Sequence, residues 1–179
     1  PKKPRSTGHR SFAAARLPEF SRALTSAGSG DRYPVSARLL RLLALTAART
    51  GELRFLKWSE VDTLDGDFPV LHIPAGRMKK RIAWDVPLSR QAADLLREIQ
   101  TWQREAGGGL KGVTDGFVFV RLEGNYKGRL CSENAVNDLL QGMGWAGELV
   151  GHGLRKMFST AAHSGWPYLG ANRTEAVEF

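Results

Sequence analysis

The chain has 179 residues, with 26 lysines and arginines against 18 aspartates and glutamates, so its formal net charge is +8. This length fits one domain with a single buried core. One cysteine, Cys131, excludes an internal disulfide and a cysteine-based metal site, and no apolar run is long enough to span a membrane. The excess of positive charge favours a polyanionic partner, although a merely basic soluble protein would show the same balance.

The first sixteen residues carry several basic side chains and no acid. Their content of Pro, Lys, Arg, Ser and Gly is typical of a linker or arm. We therefore predict a basic interdomain arm over residues 1–16 and a globular domain over residues 17–179. The start at Pro1 rather than Met suggests a fragment of a longer protein.

The spacing of apolar residues predicts the first helices. A short helix is expected after Pro18, followed by a loop from Ser26 to Asp31. The leucine-rich segment from Val35 to Ala48 is apolar nearly all round, as expected for a central core helix that ends at Arg49. A second short helix is expected after Gly51.

The middle of the chain predicts strands and the rest mainly helices. Strands are expected at Val70–Ile73, Ile82–Val86 and Phe117–Val120, and helices from Ser89 to about Ala106, from Ser132 to about Met143 and from near His152. The basic segment from Ala75 to Arg81 then forms the tip of a hairpin. The predicted fold class is α+β, a mainly helical domain with a small antiparallel sheet on one side.

Two arginine motifs lie more than a hundred residues apart in the chain. Arg49 and Glu52 are three residues apart, as are His152 and Arg155, so each pair shares one face of a helix. Two guanidinium groups that converge can hold both non-bridging oxygens of one phosphodiester. Each motif taken alone is weak evidence, because an arginine with a glutamate three residues later is more often a solvated helical ion pair, and a single His-x-x-Arg is no more specific.

The order and context of these motifs resemble the tyrosine recombinases, in particular the phage-type integrases of prophages and genomic islands. The resemblance begins with the leucine-rich helix that leads into Arg49-Thr-Gly-Glu52 and the following Trp58-Ser-Glu-Val-Asp62. It continues with the hairpin from Ile73 to Lys79 and the Val86-Pro-Leu-Ser segment, and it ends with His152-Gly-Leu-Arg155. It covers nearly everything after Leu17.

The resemblance implies a metal-free and cofactor-free cleavage of double-stranded DNA at an attachment site, through a covalent 3′-phosphotyrosine. In this scheme Arg49 and Arg155 hold the phosphate, Lys79 is the general acid and His152 shares the acid–base work. Lys80 is the alternative to Lys79, since a shift of one residue exchanges their faces. The remaining implied roles are a supporting carboxylate, Glu52, and DNA-binding cations, Arg77, Lys80 and Arg81.

None of the three tyrosines, Tyr33, Tyr126 and Tyr168, stands where the family has its nucleophile. We therefore expect a C-terminally incomplete catalytic domain that is inactive and monomeric by itself. The resemblance implies a DNA-bound tetramer for the full-length protein. The expected location is the bacterial cytoplasm, at the nucleoid when DNA is bound, without membrane contact.

Two alternatives remain open. A type IB topoisomerase uses a similar phosphate clamp, and a non-catalytic DNA-binding module could retain the clamp without the chemistry. A metal site at Asp62, Asp65 and Asp67 is disfavoured, because Asp65-Gly66 is typical of a turn and no calcium-loop ligand follows. His72 and Trp145 are expected to be structural.

Overall fold

The computed structural model describes residues 11–12, 14–28, 34–106, 116–122, 124–151 and 153–157. The predictions for the start of the arm, Tyr33, His152, Tyr168 and the residues after 157 lie outside this part. The named helices and strands are α1 (Leu17–Gly28), α2 (Pro34–Thr46), α3 (Thr50–Leu53), β1 (Val61–Asp62), β2 (Val70–Ile73), β3 (Trp84–Pro87), α4 (Arg90–Ala106) and α5 (Ala135–Gly142). Residues 153–157 are also helical.

Helix α2 is the centre of the core, as its leucine content predicts. It packs against α1, α4 and α5, and its buried side chains include Leu39, Leu40, Leu42 and Leu43. The predicted end of this helix at Ala48 is wrong, because α2 ends at Thr46. Ala47 has a φ of 52°, in the left-handed region that a helix cannot use.

The sheet is antiparallel with the order β1-β2-β3. Leu71 and Ile73 point into the core and His72 points outward, which is the alternation expected of a strand with one buried face. The paired strand β3 begins at Trp84, so the predicted strand start at Ile82 is two residues early. The mainly helical fold with one small antiparallel sheet is confirmed.

Helix α4 has 17 residues and follows the predicted pattern closely. The Ser89 hydroxyl accepts a hydrogen bond of 3.3 Å from the backbone N–H of Ala92, which caps the first turn. Leu96 and Ile99 are fully buried. None of the helices in the described ranges is long and apolar enough to cross a membrane.

The predicted strand from Phe117 to Val120 is wrong. This segment makes two isolated bridges, one from Phe117 to Lys57 and one from Val120 to Leu130, and no continuous ladder. The side-chain amide of Gln103 donates instead to the carbonyls of Phe117 and Val118, at 3.1 Å and 2.8 Å. Helix α4 therefore satisfies backbone groups that a neighbouring strand would otherwise pair.

The chain contacts the domain earlier than residue 17. The ring centroid of Phe12 lies 5.4 Å from that of Phe20 and 4.7 Å from that of Trp145, which is buried as predicted. The guanidinium of Arg16 lies 4.5 Å from the Trp145 ring centroid. The end of the predicted arm thus packs on the domain, while the boundary at residue 16 stays a prediction.

Candidate active site

Arg49 lies immediately before the single turn of α3 and is held by Glu52 in two ways. The Glu52 carboxylate accepts a hydrogen bond of 2.8 Å from the backbone N–H of Arg49, and its other oxygen forms an ion pair with the Arg49 guanidinium. Glu52 is 2% exposed, whereas the Arg49 side chain is 35% exposed. The buried carboxylate therefore orients a guanidinium that is itself partly exposed to solvent.

Arg155 binds the turn that leads into Arg49. Its Nη1 donates a hydrogen bond of 2.8 Å to the carbonyl oxygen of Ala47. Since two residues span at most about 7 Å, the Cα atoms of Ala47 and Arg49 are closer than that. The two motifs that are remote in sequence are therefore adjacent in the folded chain.

Gly151 allows this approach. A Cβ atom at position 151 would lie 3.1 Å from Oγ1 of Thr50 and 3.0 Å from Cγ1 of Val136, closer than ordinary side-chain contacts. The backbone N–H of Gly151 donates to the Asn137 side chain at 3.2 Å. The start of the last described helix is thus fixed between α3 and α5, and this contact positions Arg155.

Trp84 contributes a second contact to Arg155. The guanidinium carbon of Arg155 lies 5.7 Å from the Trp84 ring centroid, within the range of a cation–π interaction. Trp84 is the first residue of β3, and it pairs with Ile73 at the end of β2. The aromatic ring therefore connects the basic hairpin to the second arginine motif.

The predicted catalytic lysines lie at the turn between β2 and β3. Lys79, Lys80 and Arg81 are all exposed. Within the described ranges, none of their charged groups forms a hydrogen bond or an ion pair. These cations are free to bind an anion, and the choice between Lys79 and Lys80 stays open because both side chains are exposed.

Arg77 differs from the other basic residues of the hairpin. Its guanidinium donates to the backbone carbonyl of Phe55 and forms an ion pair of 2.5 Å with Glu60. Its side chain is only 16% exposed. The contacts of Arg77 anchor the hairpin to the chain after α3, and its predicted contact with DNA stays a prediction.

Residues 19–168 match the phage integrase family. The chain belongs to this family. Among the integrase relatives, the prophage integrase IntZ of Escherichia coli K12 is 34% identical over 167 residues, which are 93% of this chain and 37% of the relative. The integrase of Shigella phage Sf6 is 34% identical over 155 residues, 86% of this chain and 36% of the relative. The chain thus spans little more than a third of these integrases.

Solved recombinase structures share the integrase fold. The XerA recombinase superposes with a TM-score of 0.59 at 23% identity, covering 92% of this chain and 53% of that one. The post-cleavage complex of the XerH recombinase on palindromic difH substrate gives a TM-score of 0.64 at 17% identity, covering 92% and 46%. At these identities the likeness shows the fold, which is that of a tyrosine recombinase.

The other described residues that could act as a nucleophile, an acid–base group or a metal ligand have no sign of such a role in this integrase-family chain. Burial raises the pKa of the Cys131 thiol, so this cysteine is poorly suited to act as a nucleophile. His72 is paired with Asp85, whose Oδ1 lies 2.7 Å from Nδ1 of the ring. The described residues contain no cluster of His, Cys, Asp and Glu that could hold a metal.

Sequence reasoning missed Ala47 and Trp84. Ala47 acts through its backbone carbonyl, which has no signature in the residue type. A tryptophan after a basic segment also has no distinctive pattern, since Trp84 matters through a contact with a residue far along the chain. The motif that contains Arg155 could be recognised from the sequence, but the contacts of Arg155 with Ala47 and Trp84 could not.

Proposed function

We propose that this chain is the catalytic domain of a site-specific DNA recombinase, in which Arg49 and Arg155 bind one phosphodiester. One observation carries the proposal. The Arg155 guanidinium is hydrogen-bonded to the backbone carbonyl of Ala47, two residues before Arg49, so two motifs that are distant in sequence are adjacent in the fold. The membership of the phage integrase family supports the same conclusion.

The two arginines supply charge stabilisation. Attack on a phosphodiester gives a five-coordinate phosphorus with additional negative charge on the non-bridging oxygens. Planar guanidinium groups match these oxygens and stay charged at any physiological pH. Glu52 holds Arg49, and Ala47 and Trp84 hold Arg155. The two arginine side chains therefore need little rearrangement when negative charge develops on the phosphate oxygens.

Lys79 is the proposed general acid, with Lys80 as the alternative. The 5′-oxygen that leaves phosphorus takes a proton from the lysine ammonium group, and this proton transfer prevents an unstable alkoxide. Both lysines are exposed at the turn of the hairpin, where a flexible side chain can reach a bound strand. His152 is proposed to hydrogen-bond a phosphate oxygen and to share the proton transfer.

The nucleophile is proposed to be a tyrosine outside this sequence. Its phenol oxygen gives its proton to a base, for which His152 is the proposed group, and bonds to phosphorus as the P–O5′ bond breaks, which gives a 3′-phosphotyrosine and a 5′-hydroxyl protonated by the lysine. The covalent bond conserves the energy of the broken linkage, so no nucleotide cofactor is required. Tyr126 is not proposed as this nucleophile. Its ring contacts Arg121 and Arg129, whose guanidinium carbons are 5.4 Å and 5.8 Å from the ring centroid. We infer that the chain by itself binds DNA but does not cleave it.

The proposed partner is double-stranded DNA at the attachment site of a mobile element. The XerH relative is described on difH substrate before and after cleavage, and several sequence relatives are integrases of phages or prophages. The complete protein is proposed to recombine DNA as a tetramer, during integration or excision. This chain is proposed to be a monomer, which sedimentation or light scattering would test.

The test uses both this chain and the longer protein that contains it. The chain should bind duplex DNA with an affinity that falls steeply with salt, because Lys and Arg release counterions from phosphates. Substituting Arg49→Ala or Arg155→Ala should weaken this binding. The longer protein should form a covalent adduct with a nicked attachment-site duplex, and the same substitutions should abolish it. Binding without any adduct would support the non-catalytic module instead.

A further inference from the structure

A second group of cations lies on the loop between Val120 and Leu130. Arg121 is half-buried, Lys127 and Arg129 are exposed, and Tyr126 between them is 56% exposed. With Glu123 as its acidic residue, the segment from 121 to 129 has three basic and one acidic side chain, a formal charge of +2. We call this segment the basic loop.

Backbone hydrogen bonds join the two ends of the basic loop. The N–H of Arg121 donates to the carbonyl of Arg129 at 2.9 Å, and the N–H of Gly128 donates to the carbonyl of Arg121 at 2.8 Å. Gly124 and Gly128 have φ values of 71° and 80°, which L-residues rarely adopt. The loop is therefore closed by its own backbone hydrogen bonds.

Tyr126 organises two of these cations. The guanidinium carbons of Arg121 and Arg129 lie 5.4 Å and 5.8 Å from the Tyr126 ring centroid. A guanidinium group that contacts an aromatic ring through its face keeps its N–H donors in its own plane. Both arginines can therefore contact the tyrosine and still donate to an anion.

The cations of the basic loop differ in charge environment from those arginines of the described chain that form ion pairs. Over the described ranges, neither the two loop arginines nor Lys127 forms an ion pair with a carboxylate. The arginines that do form such pairs are Arg16, Arg38, Arg41, Arg49, Arg77 and Arg97. Among the described residues, no carboxylate forms an ion pair with the cations of the basic loop, and the same is true of the cations at the hairpin turn, residues 79–81.

The base of the basic loop is attached to the element that carries Arg49. Nη1 of Arg54 donates to the carbonyl of Cys131 at 3.1 Å. Arg54 directly follows α3, and at 1.5 Å per residue it is displaced from Arg49 by roughly 7 Å along the helix axis. The basic loop is therefore fixed to the far end of the same helical turn that presents Arg49.

We propose that the basic loop is a second DNA-backbone contact, in which Arg121, Lys127 and Arg129 bind phosphates that flank the one held by Arg49 and Arg155. This inference rests on the proposed function, because it assumes that DNA is the partner. The contacts are to phosphates, so they do not depend on base sequence. Tyr126 is a positioning residue that holds the two arginines apart from each other and directed outward.

The test measures the affinity of this chain for a duplex by fluorescence anisotropy over a range of salt concentrations. Arg121→Gln, Lys127→Gln and Arg129→Gln should each lower the slope of log affinity against log salt by about 0.9, equivalent to about an 8-fold loss of affinity at 0.1 M salt. Arg104→Gln, at an exposed position on α4, is the matched control and should leave both quantities unchanged. Thermal unfolding should be the same for all four variants.

Two further comparisons separate the possible outcomes. The loss should be equal on duplexes of unrelated sequence, and a loss confined to one sequence would overturn the assignment to phosphates. Tyr126→Phe should retain the affinity that Tyr126→Leu loses, because the ring rather than the hydroxyl contacts the arginines. Loop variants that behave like Arg104→Gln, while Arg49→Ala still weakens binding, would overturn this inference alone. A wild-type chain that fails to bind DNA would overturn the proposed function as well.

Discussion

The guanidinium of Arg155 donates a hydrogen bond to the backbone carbonyl of Ala47, across a sequence separation of 108 residues. Ala47 has a left-handed backbone conformation at the end of α2, with a φ of 52°. Because the chain turns there, its carbonyl is available to a side chain rather than to the next turn of a helix. The position of Arg155 thus depends on how α2 ends, and the same turn determines where Arg49 begins.

The contact between Trp84 and Arg155 should be measurable as a coupling energy. In a double-mutant cycle of Trp84→Leu and Arg155→Gln, urea unfolding should give a coupling of about 0.5–1 kcal/mol, the usual range for a partly exposed cation–π pair. The control cycle pairs Trp84→Leu with Arg81→Gln instead, because Arg81 is an exposed arginine on the same hairpin as Trp84. That second cycle should give a coupling near zero, and equal couplings in the two cycles would contradict a specific contact.

Glu52 should be important for stability as well as for orientation. Changing Glu52→Ala leaves the backbone N–H of Arg49 without its acceptor and removes a buried carboxylate, so we expect a loss of about 2 kcal/mol in the free energy of unfolding. The exposed Glu19 also pairs with an arginine, and Glu19→Ala should cost much less stability than Glu52→Ala, because solvent screens this pair. Similar losses for the two variants in denaturant titrations would be evidence against the buried role of Glu52.

Arg77 and Arg81 should separate stability from DNA binding within one hairpin. Arg77→Gln removes an ion pair with Glu60 and a hydrogen bond to Phe55, so the free energy of unfolding should fall by about 2 kcal/mol. Arg81→Gln should leave stability within about 0.5 kcal/mol of wild type, since its side chain is exposed. For DNA affinity, Arg81→Gln should show the loss expected of one phosphate contact. Unchanged affinity for this variant would remove Arg81 from the proposed DNA contacts.

His72 should make stability depend on pH in a predictable direction. The hydrogen bond to Asp85 raises the pKa of His72, and Asp62 on the neighbouring strand adds to this effect. A raised pKa in the folded state means that protonation stabilises the fold. The contribution is complete below the unfolded pKa of about 6.5 and disappears as the pH rises through the folded pKa.

The variant His72→Gln isolates this contribution from the other histidines. We expect the difference in unfolding free energy between wild type and variant to be largest near pH 6 and to decline towards pH 9. An NMR titration should place the pKa of His72 above that of a model peptide. A difference that stays constant or grows with pH would show that the carboxylates do not act on the ring as described.

The elements that could be predicted from sequence are those set by local pattern. The apolar faces of α2 and α4 and the Ser89 cap follow from spacing and residue type, and the structure confirms them. The segment from Phe117 to Val120 has strand-like composition, but its carbonyls are bound by Gln103 from another helix. A contact of this kind leaves no trace in the local sequence.

The same distinction applies to the candidate site. The Arg49–Glu52 pair could be predicted from its spacing of three residues, although Arg49 precedes the helical turn and has an extended backbone rather than a helical one. The basic residues of the hairpin look equivalent in sequence, yet Arg77 is turned inward and Arg81 is exposed, since only Arg77 reaches Glu60. The role of His152 stays a prediction, because this residue lies outside the described part of the chain.

Gly151 is a position at which even a substitution by alanine would affect the packing of the helix that carries Arg155. The space for a methyl group there is already limited by Thr50 and Val136, on two different helices. An alanine there would require the Thr50 and Val136 side chains, or the helix that carries Arg155, to move by a few tenths of an ångström. A change of one carbon atom at an uncharged residue can therefore disturb the position of Arg155, which the proposed function places at the bound phosphate.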